Sequence, residues 1–226
     1  MLRTEAQGDP NHYDLVHGHY WLSGSAGVVA ARRWGVPFIQ SMHTMARVKN
    51  AALAAGDSPE PDIRVRGEDQ LVRQSDRLIA NTDHEAYQLR KYYGACENRI
   101  STIPPGVDLE VFTPGDRRAA LRRIGLPEQS ELLLFVGRVQ RLKAPDVLIR
   151  AAAELLERDP SLRSRLVVGV VGGLSGGGLH EPGMLTDLAR SLGVADVVRL
   201  EPPQSRERLA DHYRAATATV VPSYSE

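Results

Sequence analysis

The sequence predicts an α/β fold of two doubly wound units, on three observations. Short runs rich in Val, Ile and Leu alternate with longer amphipathic segments, the rhythm of parallel strands joined by crossover helices. The rhythm breaks from Pro104-Pro105-Gly106-Val107-Asp108 to Pro114-Gly115, which reads as a linker, and then resumes. At 226 residues, 42% hydrophobic and 25% charged, the chain has material for two small cores.

In the first half the apolar runs place strands at Asp14–His17, Pro37–Ser41, Arg77–Asn81 and Arg99–Ile103. Helices are expected near Ser25–Trp34, Arg64–Ser75 and Asp83–Tyr93. In the second half strands are expected at Leu132–Val136, Leu166–Val171, Val197–Leu200 and Thr219–Val221. Helices are expected near Arg117–Ile124, Pro145–Arg158, Pro182–Leu192 and Ser205–Ala216. Doubly wound units bind ligands at the carboxyl ends of their strands, so a cleft between the two is the expected site. Neither unit reads as whole: the chain opens almost directly on a strand and closes on one with no helix after it.

Lys plus Arg and Asp plus Glu balance at 28 each, so no overall field favours nucleic acid or an anionic membrane. Anion binding has to come from local placement. The single cysteine, Cys96, excludes an internal disulfide and a thiolate metal cluster, and fits a reducing compartment with the cytoplasm as default. No apolar run is long enough for a transmembrane segment.

The most informative segment is Phe135-Val136-Gly137-Arg138-Val139-Gln140-Arg141-Leu142-Lys143-Ala144-Pro145, a strand running into a glycine turn and a helix that tolerates proline in its first turn. Arg138 can fork onto phosphate oxygens and Lys143 is a mobile point charge, a pair suited to a diphosphate ahead of a helix N-terminus. Solvation of both in a surface loop is about as good a reading. Val171-Gly172-Gly173-Leu174-Ser175-Gly176-Gly177-Gly178 follows another strand but has neither a P-loop ending nor a dinucleotide fingerprint. In the first half, His17-Gly18-His19-Tyr20-Trp21-Leu22-Ser23-Gly24 and Ser41-Met42-His43-Thr44 follow strands and place polar groups on the cleft side. No carboxylate completes a zinc pattern there, so a polar wall for a hydroxylated ligand is the better reading. Arg64 and Arg66, near a helix start, read first as a solvated face.

Taken together, Gly137-Arg138 with Lys143, Pro105-Gly106-Val107-Asp108 and Pro222-Ser223-Tyr224-Ser225-Glu226 resemble the retaining glycosyltransferases of family 4, with two Rossmann-like domains in the B-type architecture. On that resemblance residues 1–113 form the acceptor-binding domain and 114–226 the nucleotide-sugar-binding domain, both truncated. His17 to Gly24, His43-Thr44-Met45-Ala46-Arg47-Val48-Lys49-Asn50 and Pro202-Pro203-Gln204-Ser205 are similar to the members that act on inositol phosphate in mycothiol biosynthesis. The resemblance implies transfer of N-acetylglucosamine from UDP-N-acetylglucosamine to 1D-myo-inositol 3-phosphate. Arg138 and Lys143 then hold the donor diphosphate and stabilise the leaving UDP, and Gln204 and Glu226 contact the donor, Glu226 as the first glutamate of an E-x7-E motif. Tyr20, Thr44 and Arg64 bind the acceptor phosphate, and His43 faces the transferred sugar. Backbone groups of Tyr213, Arg214 and Ala216 hold a structural magnesium ion. The resemblance leaves room for a homodimer. Its glycine-rich loop and an acceptor-side lysine would precede residue 1, and its second glutamate would follow Glu226, so the chain alone is expected to be inactive. Rival readings are a sucrose-phosphate-synthase-like or mannosyl-transferring relative, and a non-catalytic nucleotide-binding module. A nicotinamide-dependent oxidoreductase is disfavoured, because neither half carries the dinucleotide fingerprint.

Overall fold

The computed structural model describes residues 12–53, 58–173 and 183–224. The chain forms two compact units, Met1–Gly106 and Val107–Glu226, each built on a four-stranded sheet in which every pair is parallel.

In the first unit β1 (Val16–His19), β2 (Phe38–Ser41), β3 (Arg77–Ala80) and β4 (Ile100–Thr102) lie side by side in chain order. A parallel pair needs a long return, and helices supply it: α1 (Tyr20–Trp34), then α2 (Ala46–Ala51) with α3 (Asp62–Gln74), then α4 (Asp83–Tyr93). The start of α4 is a reciprocal cap. Thr82 Oγ1 accepts from the Glu85 N–H at 3.0 Å, and Glu85 Oε2 accepts from the Asn81 N–H at 2.7 Å. Val28, Ala31, Phe38 and Leu71 pack α1 and α3 onto the sheet, while Met42, Met45, Val72, Leu78 and Leu89 form a second cluster.

Two departures from the expected elements bear on function. Helix α1 begins at Tyr20 rather than Ser25, so Tyr20 to Gly24 lie in its first turns and not in a loop. The glycine that hid this start is needed for packing: a Cβ on Gly24 would lie 2.1 Å from the Gln40 side-chain oxygen. Gln40 is fully buried, and its amide donates to the carbonyls of Ser41 at 2.8 Å and Tyr20 at 3.3 Å. It thereby fixes the turn from β1 into α1. The second departure is α2, whose six residues are too few to display a period.

In the second unit the strands β5 (Glu131–Val136), β6 (Leu166–Val171), β7 (Val198–Glu201) and β8 (Ala218–Thr219) take the order β7-β6-β5-β8. The helices are α5 (Arg117–Arg123), α6 (Pro145–Arg158), α7 (Met184–Ser191) and α8 (Arg206–Ala215). Along β5 the side chains alternate between two buried layers. Leu132 and Leu134 pack with Leu121 and Ile124 beside α5 and with Ala215 of α8; Phe135 packs with Leu148, Ile149, Val168 and Val170. Helices thus cover both faces of β5 and β6, which is why these two strands read as apolar runs. Burial of each such leucine contributes about 1.5–3 kcal/mol. The chain steps from β5 to β6 to β7 in one direction and returns to the far side of β5 for β8. The reversal between β5 and β8 is the topological switch point, where open α/β sheets bind ligands.

Past the strand ends the backbones stay tied. The Gly137 N–H donates to Val171 O at 3.0 Å, the Val139 N–H to Gly173 O at 2.9 Å and the Gly172 N–H to Glu201 O at 2.9 Å. A Cβ on Gly172 would stand 1.8 Å from the Gly137 carbonyl oxygen, a distance no side-chain adjustment relieves. Gly172→Ala is therefore expected to destabilise this unit by about 3 kcal/mol or more. Urea unfolding checks this, and a loss within about 0.5 kcal/mol would show that the close approach is not real.

The residues 174–178 of the glycine-rich run, Pro182 at the expected start of α7, and Ser225 with Glu226 lie outside the described residues. Among the described residues, no helix is long and apolar enough to cross a membrane.

Candidate functional site

In the first unit the carboxyl ends of β1 and β2 carry strained backbone. Tyr20 has φ 68° and His43 φ 61°, neither a glycine, a conformation kept only where the surroundings over-determine it. His43 is the centre of a three-residue turn closed by the Thr44 N–H on Met42 O at 2.7 Å. The turn presents both predicted residues. His43 Nε2 lies 2.8 Å from His19 Nδ1 and its Nδ1 3.4 Å from Asn81 Nδ2, while His17 Nε2 meets Ser41 Oγ at 3.0 Å. Partial desolvation, then the neighbouring His19 and His43, lower the pKa of His17. Among the described residues, no group of three or more His, Cys, Asp or Glu is arranged to hold a metal ion.

The three residues expected at an acceptor phosphate come together. Arg64 Nη2 donates to Thr44 Oγ1 at 2.8 Å and Thr44 O at 3.2 Å, and the guanidinium carbon stands 5.1 Å from the centre of the Tyr20 ring. Arg64 is not on a solvated face: it is 3% exposed. Arg66, two residues on along the helix, is exposed.

What holds Arg64 has no mark in the motifs. Glu68, 0% exposed, accepts from Arg64 Nε at 2.7 Å, from the Ala46 N–H at 2.7 Å and from the Tyr93 hydroxyl. One buried carboxylate therefore locks both Arg64 and the start of α2, the helix that follows Thr44. Burial and the Glu68 contact push the Tyr93 phenol far above its ordinary pKa, so it stays a neutral donor. On its other side Arg64 Nη1 meets Glu60 Oε2 at 2.8 Å. Glu60, Arg64 and Glu68 are spaced four apart, a pattern visible in the sequence.

In the second unit all strands point the same way, so Arg138 after β5, Gly172 and Gly173 after β6, Gln204 after β7 and Ser223-Tyr224 after β8 share one edge of the sheet. Arg138 is exposed between two backbone anchors, at Gly137 and Val139. Lys143 closes a 3₁₀ turn, Arg141–Lys143. The turn leads into Ala144, a buried non-glycine residue at φ 47°, and Pro145 opens α6. The Tyr224 N–H donates to Leu142 O at 3.0 Å. That bond pins the segment leading to Glu226 onto the loop that carries Arg138 and Lys143. The Gln204 side chain is turned back, its amide donating to Pro202 O at 2.8 Å.

The expected magnesium site is at the carboxyl end of α8. The Thr217 N–H, which would close the helical bond to Tyr213 O, donates instead to Leu132 O at 2.8 Å. The helical bond to Tyr213 O is thus not made by Thr217, and a helix C-terminus favours a cation. The carbonyl oxygens of Tyr213, Arg214 and Ala216 are the ligand type that a hard cation takes. The Arg214 side chain works elsewhere. It donates to Val111 O at 2.6 Å and Thr113 O at 2.8 Å and pairs with Asp211 at 3.0 Å, tying the incoming chain to α8.

Residues 2–111 match the family model described as Glycosyltransferase Family 4, and residues 116–226 match Glycosyl transferases group 1. The chain belongs to the family 4 glycosyltransferases. Two D-inositol 3-phosphate glycosyltransferases, from Nocardiopsis dassonvillei and Thermobifida fusca, are 83% and 69% identical to it over 226 residues, covering 100% of this chain and 53% and 52% of theirs. The chain spans about half the length of these curated relatives. Among solved structures, sucrose-phosphate synthase from Thermosynechococcus elongatus superposes with a TM-score of 0.79 at 25% identity, over 95% of this chain and 51% of that one. The fold class of family 4, two Rossmann-like units of the B-type glycosyltransferases, is the class the sequence predicted.

Proposed function

We propose that this chain serves the transfer of N-acetylglucosamine from UDP-N-acetylglucosamine to 1D-myo-inositol 3-phosphate, with retention at the anomeric carbon. This is the opening step of mycothiol biosynthesis, carried out in the cytoplasm. The observation that carries the reading is the convergence of Tyr20, Thr44 and Arg64: an aromatic wall, a hydroxyl and a buried guanidinium, groups of the kind that recognise a phosphomonoester. The relatives named for this acceptor support it.

At the donor, Arg138 and Lys143 take the diphosphate and stabilise the charge that develops on the leaving UDP. Gln204 contacts the donor through its backbone, since its side chain is engaged with Pro202, and Glu226 holds the donor sugar. His43 faces the transferred sugar from the acceptor side. No side-chain carboxylate is assigned as a nucleophile, so the acceptor hydroxyl attacks from the face the UDP leaves, assisted by the departing phosphate. Magnesium, held by backbone oxygens of Tyr213, Arg214 and Ala216, would neutralise the end of α8 and has a structural role.

Calorimetric titration tests the acceptor assignment. In a form extended at both ends to the relatives' length, inositol 3-phosphate is expected to bind at least about tenfold tighter than inositol, one charge-assisted contact being worth about 1.5–3 kcal/mol. Equal affinities would remove the phosphate site.

A further inference from the structure

Taking Tyr20, Thr44 and Arg64 as the phosphate site of the proposed function, the hydrogen bonds of Arg64 raise a question of charge. Four of the five guanidinium N–H groups are engaged: Nε on Glu68, Nη1 on Glu60, and Nη2 twice on Thr44. Lys49 Nζ holds the other oxygen of Glu60 at 2.8 Å. Two cations and two carboxylates cancel, and the adjoining pair Arg47–Asp69 cancels as well. An entering anion therefore meets a neutral cluster with one guanidinium N–H left over, and to bind Arg64 through more than that single N–H it has to take a donor from a partner already in place.

The partners are unequal. Glu68 is fully buried and held by three donors, so it cannot leave. Thr44 is neutral and belongs to the site. Glu60 is partly exposed, its carboxylate has a second cation in Lys49, and its backbone is fixed separately by Asn50 Oδ1, which accepts from the Glu60 N–H at 2.7 Å. Its side chain can swing away while the main chain stays.

We propose that Glu60 is a specificity residue for the acceptor: its carboxylate occupies Nη1 of Arg64 until a phosphate dianion displaces it, and Lys49 then keeps the displaced carboxylate. Exchanging one carboxylate for a singly charged anion gains little, whereas a dianion gains a full charge on Arg64. The site thereby selects phosphate monoesters over monoanionic esters. Lys49 and Asn50, at the end of the segment beginning at His43, acquire a role through Glu60 and not through direct contact with the ligand.

Titration of the extended form with inositol 3-phosphate, inositol 3-sulfate and UDP tests this. Glu60→Gln is expected to tighten inositol 3-phosphate about tenfold and inositol 3-sulfate by more, leaving UDP unchanged. Unchanged or weaker phosphate binding would overturn the proposal, since a carboxylate that merely orients Arg64 would be missed and not merely absent. Lys49→Met is expected to weaken inositol 3-phosphate about tenfold alone and to have no effect in a Glu60→Gln background. Should Glu60→Gln fail to fold, Lys49→Met decides, and an unchanged affinity there rejects the proposal. Arg64→Lys separates the two readings: if it leaves phosphate affinity intact, the phosphate site itself falls, and the role of Glu60 with it.

Discussion

Arg138→Ala and Lys143→Ala are each expected to lower kcat by about 10²–10³-fold in the extended form, because a fixed positive group facing charge that develops on a leaving group is worth about 2.7–4 kcal/mol. The fold should be indifferent to the first change. Arg138 is exposed, and the backbone on either side of it is anchored by the Gly137–Val171 and Val139–Gly173 bonds, which the side chain does not make. Urea unfolding of Arg138→Ala should therefore stay within about 0.5 kcal/mol of the parent. Steady-state kinetics should show the loss in kcat with the acceptor KM little changed, the sign of an interaction made mainly in the transition state. A loss confined to KM would mean that the pair only binds the donor.

Arg64→Ala should do damage of another kind. It removes the partner of Glu68, a carboxylate with no access to water, and breaking a buried pair in this way costs about 3–5 kcal/mol. It also frees Thr44 and takes the guanidinium from the Tyr20 ring. The expected result is a marked drop in the denaturant midpoint together with loss of inositol 3-phosphate binding, while UDP binding in the second unit persists. Arg64→Lys isolates the recognition part: it keeps the charge beside Glu68 but not the fork that reaches Glu60, Glu68 and Thr44 at once. It should recover part of the stability and little of the affinity.

The sequence made legible what depends on local pattern. Strands β5 and β6 are readable because helices cover both faces, and the loop carrying Arg138 and Lys143 because a glycine after a strand and a proline opening a helix mark its ends. The start of α1 was obscured because Gly24, a poor helix former, is there to make room for Gln40, a contact 16 residues away in sequence. His43 bears no mark of its left-handed backbone, since no glycine stands at the centre of its turn and its ring contacts, His19 and Asn81, lie 24 and 38 residues away. Pattern alone reads Arg64 as a solvated face, although Glu60 and Glu68 stand four residues to either side of it; only the resemblance gives it a binding role. Spacing predicts a pair but not its burial, and the groups that bury this one, Thr44 and Tyr93, lie 20 and more residues away.

The products of the proposed reaction test it most directly. The extended form, given UDP-N-acetylglucosamine and 1D-myo-inositol 3-phosphate, is followed by proton NMR of the anomeric signal. The predicted product is an N-acetylglucosaminyl inositol phosphate with the donor's own α configuration. An inverted β product, equal transfer to unphosphorylated inositol, or no transfer to inositol 3-phosphate would contradict it.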